Sequence, residues 1–166
     1  MEDSDETRAI DEAGDEAEAR EAHQAAWRLL EKPDRSDAET ATMIGAAHAH
    51  LAASGKTGGP VAAQRGNWLV ARAYIAAGLI EPAMEFARRT MDLTREHQAA
   101  LADFDLAFAK EIAARAWALG GNPLRAREHY DGARRLGEAI SDDGDRAEFF
   151  RQFAGGPWFG LDEEAT

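Results

Sequence analysis

One short stretch of this sequence occurs twice, and the two copies lie 43 residues apart. The residues Ala-Arg-Ala-Tyr at positions 71–74 return as Ala-Arg-Ala-Trp at 114–117. A glycine and then an alanine follow each copy at equal distances, as Gly78 with Ala83 and as Gly121 with Ala126. A fixed period of about 20–50 residues linking two helical patterns is typical of helix pairs stacked in a row. The sequence therefore predicts an all-α array of antiparallel helix pairs.

Local start and stop signals divide the chain into six long helices and a short C-terminal one. Proline suits the first turn of a helix and glycine suits the residue that ends it, and both recur at the expected places. No segment alternates apolar and polar residues over the length of a strand. The predicted long helices cover about 15–31, 36–55, 60–77, 82–94, 103–119 and 123–140, and the short helix follows Gly144.

The two ends of the chain are predicted to differ from the helical-repeat domain at 15–154. Residues 1–20 carry more than half of the formal net charge of -12, and a segment so rich in charge buries too little apolar surface to order itself. Residues 1–14 are therefore expected to be a disordered acidic tail. The aromatic and acidic tail at 155–166 contains Trp158 and Phe159, whose size predicts docking on the chain's own core. Docking on a second subunit is the alternative.

Composition disfavours several classes of function. An acidic chain lacks the basic face that nucleic-acid binding needs, and no run of about 18 apolar residues could span a membrane. The absence of cysteine excludes disulfides, thiolate zinc sites and cysteine nucleophiles. A chain without cysteine, and without a secretory signal pattern at its start, is expected in the cytoplasm.

Three short motifs that suggest chemistry have simpler interpretations. His48 and His50 lie two residues apart on different helix faces, so they do not form the i,i+4 pair of a zinc site. A partly buried His48, hydrogen-bonded to a neighbouring helix, is predicted instead. The residues Gly-Lys-Thr at 55–57 lack the earlier glycine and the preceding strand of a phosphate-binding loop. Asp103 and Asp105 stand at a helix N-terminus, where free amides favour acids. No catalytic residue, metal site or cofactor is predicted.

The repeated segment resembles tetratricopeptide-like helix pairs. Ala114 and Trp117 match that family's small and aromatic positions on the first helix, and Ala126, Tyr130 and Ala133 match its triplet on the second. The period of 43 exceeds the family's usual period of about 34, so an extended link would separate the pairs. The wider stretch from 43 to 153 is similar to a group of uncharacterised bacterial proteins with this fold, through its segments 66–74, 81–89 and 103–111.

The resemblance implies a concave groove lined by the first helix of each pair. Spacings of three or four residues place the candidate ligand-binding residues of each helix on one face. These residues are Arg65, Trp68, Arg72, Phe108, Glu111 and Arg115. Guanidinium groups bind carboxylates bidentately, so the more specific hypothesis is that the groove binds a carboxylate-bearing peptide. The structural alternative is that Glu111 pairs with Arg115 one turn away and with Arg72 across helices.

The sequence thus predicts a non-catalytic module that binds a protein or peptide through the groove between helix pairs. Two other interpretations stay open. A structural homodimer could form through the aromatic C-terminal tail, because a short array leaves apolar ends to cover. A small-molecule or metal-dependent enzyme or sensor would need a deep pocket lined by His48, Arg72 and Glu111.

Overall fold

The computed structural model describes residues 2–161, apart from the side chains of residues 2–8 and of residue 10. All regular secondary structure in this described part is helical, with no β-strand and a single 3-10 turn at Gln98–Ala100. The helices are α1 (Glu2–Leu30), α2 (Asp37–Thr57), α3 (Gly59–Ala76), α4 (Ile80–Glu96), α5 (Asp103–Leu119), α6 (Pro123–Glu138) and α7 (Asp143–Ala154). The predicted all-α array of six long helices and a shorter C-terminal one is confirmed.

Neighbouring helices pack in the pairs α1–α2, α3–α4 and α5–α6. The odd-numbered helices also contact one another, because α3 touches both α1 and α5, and α5 touches α7. We call α1, α3, α5 and α7 the inner row. Helix α7 thus occupies the place that the first helix of a fourth pair would take.

The two copies of the repeated segment form the same turn. Gly78 and Gly121 have φ values of 71° and 74°, a left-handed conformation that costs residues with a Cβ about 1–2 kcal/mol. In both turns the N–H of the residue after the glycine donates to the carbonyl five residues earlier at 3.0 Å, in the pairs Leu79–Tyr74 and Asn122–Trp117. This pattern is a Schellman motif. The two hairpins are therefore equivalent in structure as well as in sequence.

Helix α1 begins at Glu2, although the sequence predicts a disordered tail at 1–14 and a first helix from residue 15. The segment is rich in alanine and glutamate, and such residues extend a helix once packing has formed its first turns. The described side chains at 9 and 11–14 are all exposed, so this part of α1 buries little surface. The division of the chain into domains stays a prediction.

Helix α2 begins with the predicted capping box, in which Ser36 and Glu39 exchange hydrogen bonds. It does not stop at Gly55, as predicted, but continues to Thr57. Glycine can adopt helical backbone angles as well as the left-handed angles that end a helix, and Gly55 keeps helical geometry. The helix ends at Gly58, whose N–H donates to the carbonyl of Ser54 at 3.0 Å.

The described part of the C-terminal tail packs on the chain's own core, as predicted. Trp158 and Leu161 are each 3% exposed, within a cluster formed by α5, α6 and α7. The indole N–H of Trp158 donates to the carbonyl of Phe153 at 2.9 Å, and Arg127 donates to the carbonyl of Leu161. Phe159 stays 44% exposed. Residues 162–166 lie outside the described part.

None of the helices in the described range combines the length and apolarity that crossing a membrane requires.

Candidate functional site

The inner row borders an open groove of about 480 Å³. Its floor is aromatic and draws on three helices, with Trp27 from α1, Trp68 from α3, and Phe104 and Phe108 from α5. The ring of Trp68 lies 6.0 Å from the ring of Trp27 and 5.3 Å from that of Phe108, measured between centroids. These contacts make a continuous apolar strip across the inner row.

One rim of the groove is an ion pair between α3 and the start of α5. Arg65 donates to both carboxylate oxygens of Asp105, at 2.8 and 2.9 Å, and its guanidinium lies 5.0 Å from the centre of the Phe104 ring. Asp105 also accepts from the backbone N–H of Ala102 at 3.0 Å, which caps α5 as the sequence predicts. The hydrogen bonds that Arg65 donates to Asp105 raise the pKa of Arg65. Arg65 is therefore held in place, although its side chain is 48% exposed.

The opposite rim belongs to α7. Arg151 donates to both oxygens of Glu148 at 2.8 and 2.6 Å, and the side-chain amide of Gln152 donates to the same carboxylate at 2.6 Å. The hydrogen bond from Arg151, followed by that from Gln152, lowers the pKa of Glu148. Both rims thus carry charges that are already paired.

Two histidines close the α1 end of the groove. The indole N–H of Trp27 donates to Nε2 of His23 at 3.0 Å, so this nitrogen carries no proton. The ring of His50 lies 5.1 Å from that of His23, and its Nδ1 donates to the carbonyl of Ala19 at 2.9 Å. Burial, and then repulsion from His50, lower the pKa of His23.

An ion network centred on the fully buried Glu111 lies behind the groove. Glu111 accepts from Arg72 at 2.8 Å, from Nε of Arg115, and from the indole N–H of Trp68 at 3.3 Å. The side chains of Glu111 and Arg115 are both 0% exposed. The structure therefore contains the structural alternative from the sequence, in which Glu111 pairs with Arg115 one turn away and with Arg72 across helices.

Arg115 also joins the inner row to the C-terminal tail. It donates to the carbonyls of Gln152 and Pro157 at 3.0 Å each, and its guanidinium lies 3.9 Å from the centre of the Trp158 ring. Burial lowers the pKa of Arg115 to about 10, against the opposing effect of Glu111. All three interactions depend on α7 and the tail covering this side chain.

The six predicted site residues do not share one surface. Arg65, Trp68 and Phe108 line the groove, whereas Arg72 lines a neighbouring cavity. Glu111 and Arg115, which were expected to face the groove, are both fully buried and do not line it, and α7 and the tail cover Arg115. Sequence reasoning also missed the contributions of α1 and α7, since neither helix belongs to the repeated segments. The apolar stripe containing Trp27 was the available signal.

The neighbouring cavity has a volume of about 290 Å³ and lies between α1, α3, α7 and the tail. Arg35, Arg72, Arg151 and Glu31 supply its charged groups, and residues 155–157 form part of its wall. It shares Trp27, Glu31, Arg151 and Gln152 with the groove.

His48 lies apart from both spaces. It shares a hydrogen bond of 2.9 Å with the hydroxyl of Tyr74 on α3, as the sequence predicts, and burial lowers its pKa. His48, Arg72 and Glu111 therefore do not line one pocket. Among the side chains that the structure describes, at 9 and 11–161, no group of three or more histidine, aspartate or glutamate residues is arranged to hold a metal ion.

Comparisons of the chain with family models, with curated proteins and with solved structures found no match.

Proposed function

We propose that the protein is a non-catalytic interaction module that binds a peptide segment of a protein partner in the groove of the inner row. The observation that carries this proposal is the aromatic strip formed by Trp27, Trp68, Phe104 and Phe108. In protein interfaces, a few anchor residues, often aromatic ones that binding removes from water, carry most of the binding energy. A volume of about 480 Å³ falls in the range of about 300–1,000 Å³ typical of ligand sites.

The groove favours a segment that inserts one or two aromatic or long aliphatic side chains. The charged groups on its rims are already satisfied, Arg65 by Asp105 and Arg151 by Glu148. A ligand carboxylate would have to displace Asp105 from Arg65. Apolar anchors meet no such competition, so the strip rather than the rims would select the partner.

The tetratricopeptide-like resemblance agrees with this proposal by analogy, since helical arrays of that kind present concave binding surfaces. Neither alternative is favoured by a specific observation. The homodimer would use an aromatic tail whose Trp158 and Leu161 are already buried against their own chain. The enzyme or sensor would need the pocket that His48, Arg72 and Glu111 do not form.

Selection of a peptide library against the full chain tests the proposal. Peptides with aromatic or aliphatic anchors should be enriched, and Phe104→Ala should weaken their binding at least about tenfold, as loss of an aromatic anchor does. The matched control is Met84→Ala, a half-buried apolar residue that lines a different surface groove between α4 and α5. Equal affinity for Phe104→Ala and Met84→Ala, with both variants folded, would overturn the proposal.

A further inference from the structure

The aromatic floor of the groove presents rings without hydrogen-bond acceptors. Its four side chains are all half-buried, namely Trp27, Trp68, Phe104 and Phe108. The indole N–H of Trp27 donates to His23 at 3.0 Å. The indole N–H of Trp68 donates to the carboxylate of Glu111 at 3.3 Å. The polar edges of both tryptophans are therefore used inside the chain, and what the floor offers to a ligand is aromatic carbon.

The chain already packs one cation against this floor. The guanidinium of Arg65 lies 5.0 Å from the centre of the Phe104 ring. Electron-rich aromatic faces attract cations within about 6 Å, and tryptophan attracts them most strongly. Among the described side chains, however, the contacts between cations and rings leave out both Trp27 and Trp68. The strongest cation-binding rings of the floor are therefore free for the cation of a ligand.

The charged side chains that line the groove are more acidic than basic. They comprise three carboxylates and two arginines, namely Glu31, Asp105, Glu148, Arg65 and Arg151. Each arginine pairs with one carboxylate, Arg65 with Asp105 and Arg151 with Glu148. The pKa of Arg151 is raised by its hydrogen bond to Glu148 and, less strongly, by the charge of Glu31. The lining therefore leaves one negative charge, at Glu31, and its arginines are compensated.

The buried network behind the groove does not reverse this balance. Its one carboxylate, Glu111, has two arginine partners, Arg72 and Arg115, and neither arginine lines the groove. Arg115 instead donates to the carbonyls of Gln152 and Pro157, at and just beyond the last turn of α7. Carbonyls at a helix C-terminus carry the negative end of the helix dipole, which compensates the second arginine.

We propose, as an extension that rests on the proposed function, that the anchor of the partner in this groove is a methylated ammonium group, as in trimethyllysine. A quaternary ammonium is positively charged but has no N–H, so a floor without acceptors leaves none of its groups unsatisfied. The ammonium of unmodified lysine is strongly hydrated and donates three hydrogen bonds, which the floor cannot replace. Aromatic sites recognise quaternary ammonium ligands through the ring surface.

The test compares three peptides N-acetyl-Ala-Xaa-Ala-amide by NMR titration of the full chain at pH 7.5. Xaa is trimethyllysine, its neutral isostere with a tert-butyl end, or lysine. A purely apolar groove would prefer the isostere. We expect the trimethyllysine peptide to bind at least about fivefold tighter than either of the others, and to shift the indole N–H signals of Trp27 and Trp68.

The free butyltrimethylammonium ion separates the two sources of such a group. Affinity equal to that of the trimethyllysine peptide assigns the groove to free organic cations. Much tighter binding of the peptide assigns it to a methylated protein.

A pair of charge reversals links the preference to the lining of the groove. Glu31→Lys replaces the acid that the rim arginines leave over, and Glu128→Lys is the control, at a glutamate of α6 that is 67% exposed and does not line the groove. Both positions are exposed, so both variants should fold. We expect Glu31→Lys to weaken the trimethyllysine peptide at least about threefold without changing the isostere, and Glu128→Lys to change neither.

A pair of tryptophan variants tests the contribution of the rings. Trp27→Leu keeps an apolar side chain but removes a ring from the floor, and Trp117→Leu does the same in the separate groove between α4 and α5. The affinity ratio of the trimethyllysine peptide to its isostere should fall to about twofold or less in Trp27→Leu and stay unchanged in Trp117→Leu. Because both peptides are measured on the same variant, a general loss of structure does not alter this ratio.

Isostere or lysine peptides that bind as tightly as the trimethyllysine peptide would overturn the proposal. Equal effects of Glu31→Lys and Glu128→Lys, or an unchanged ratio in Trp27→Leu, would do the same. Binding of the isostere or of library peptides in the groove would still support the proposed function, so the failure of one proposal is distinguishable from the failure of the other.

Discussion

At the scale of single residues, Glu111 joins the two repeated segments, and its partner Arg115 contacts the end of the chain. Its spacing from Arg115 predicts the pair within α5, and its position predicts the pair with Arg72. No local pattern could predict that Arg115 also binds the carbonyls of Gln152 and Pro157, since those contacts arise only when α7 and the tail dock. The same docking turned a predicted ligand-binding residue into a buried one.

Replacing Glu111 by glutamine should destabilise the fold strongly. The variant leaves Arg72 and Arg115 facing each other without a carboxylate, and removing one partner of a buried pair typically costs about 3–5 kcal/mol. Urea denaturation monitored by circular dichroism measures the free energy of unfolding. Glu85→Gln, in an exposed set of pairs on α4, is the control and should change it little. Similar denaturation midpoints for the two variants would show that the buried network contributes no more than surface pairs.

Stability should also fall as the pH drops below about 6.5, the ordinary pKa of histidine. Burial lowers the pKa of His48 in the folded protein. At pH values between this lowered pKa and 6.5, the unfolded chain therefore binds more protons than the folded chain, which favours unfolding. His23 and His129 act in the same direction, again mainly through burial. Above pH 6.5 the histidine contribution should be constant. His48→Gln removes one of these groups, and urea denaturation at pH 7.5, 6.5 and 5.5 should show a shallower fall. If the stability of His48→Gln falls with pH as steeply as that of the wild type, His48 does not contribute to the pH dependence.

At the scale of helices, a proline or a left-handed glycine predicted several boundaries closely, although α4 runs from Ile80 to Glu96 rather than from Pro82 to Thr94. Helix α5 agrees at both ends, and α6 begins at its predicted proline. The predictions failed at α1 and α2, where the sequence offers good helix formers or a permissive glycine but no obligatory stop. Where no proline or left-handed glycine ends a helix, its last residue is set by packing against other helices. Packing of this kind cannot be predicted from the local sequence.

At two glycines inside helices, substitution by alanine should change the free energy of unfolding in opposite directions. A Cβ at Gly137 in α6 would lie 2.2 Å from a ring carbon of the fully buried Phe149, so the close approach of α6 and α7 requires glycine. Gly137→Ala should cost about 1–3 kcal/mol through overpacking. A Cβ at Gly45 in α2 would meet no atom within 4 Å, so Gly45→Ala should gain about 0.5–1 kcal/mol. Thermal unfolding of both variants measures the two shifts. A gain at Gly137 would contradict the packing of α7 against α6.

At the scale of the whole molecule, the repeat period predicted the array and the equivalence of its two hairpins. It could not predict the groove completely, because α1 and α7 contribute much of its wall and lie outside the repeated segments. Trp27 meets Trp68 only through the packing of α1 beside α3, over a long separation in sequence. We propose that a partner binds to this composite face of the inner row.

The four tryptophans allow that claim to be tested in one titration. Trp27 and Trp68 line the groove, Trp117 lines the separate groove between α4 and α5, and Trp158 is buried in the tail. A peptide from the library selection, added to the 15N-labelled full chain, should shift the indole N–H signals of Trp27 and Trp68 and leave those of Trp117 and Trp158 in place. Saturable shifts at Trp117, with Trp27 and Trp68 unmoved, would contradict binding at the inner row.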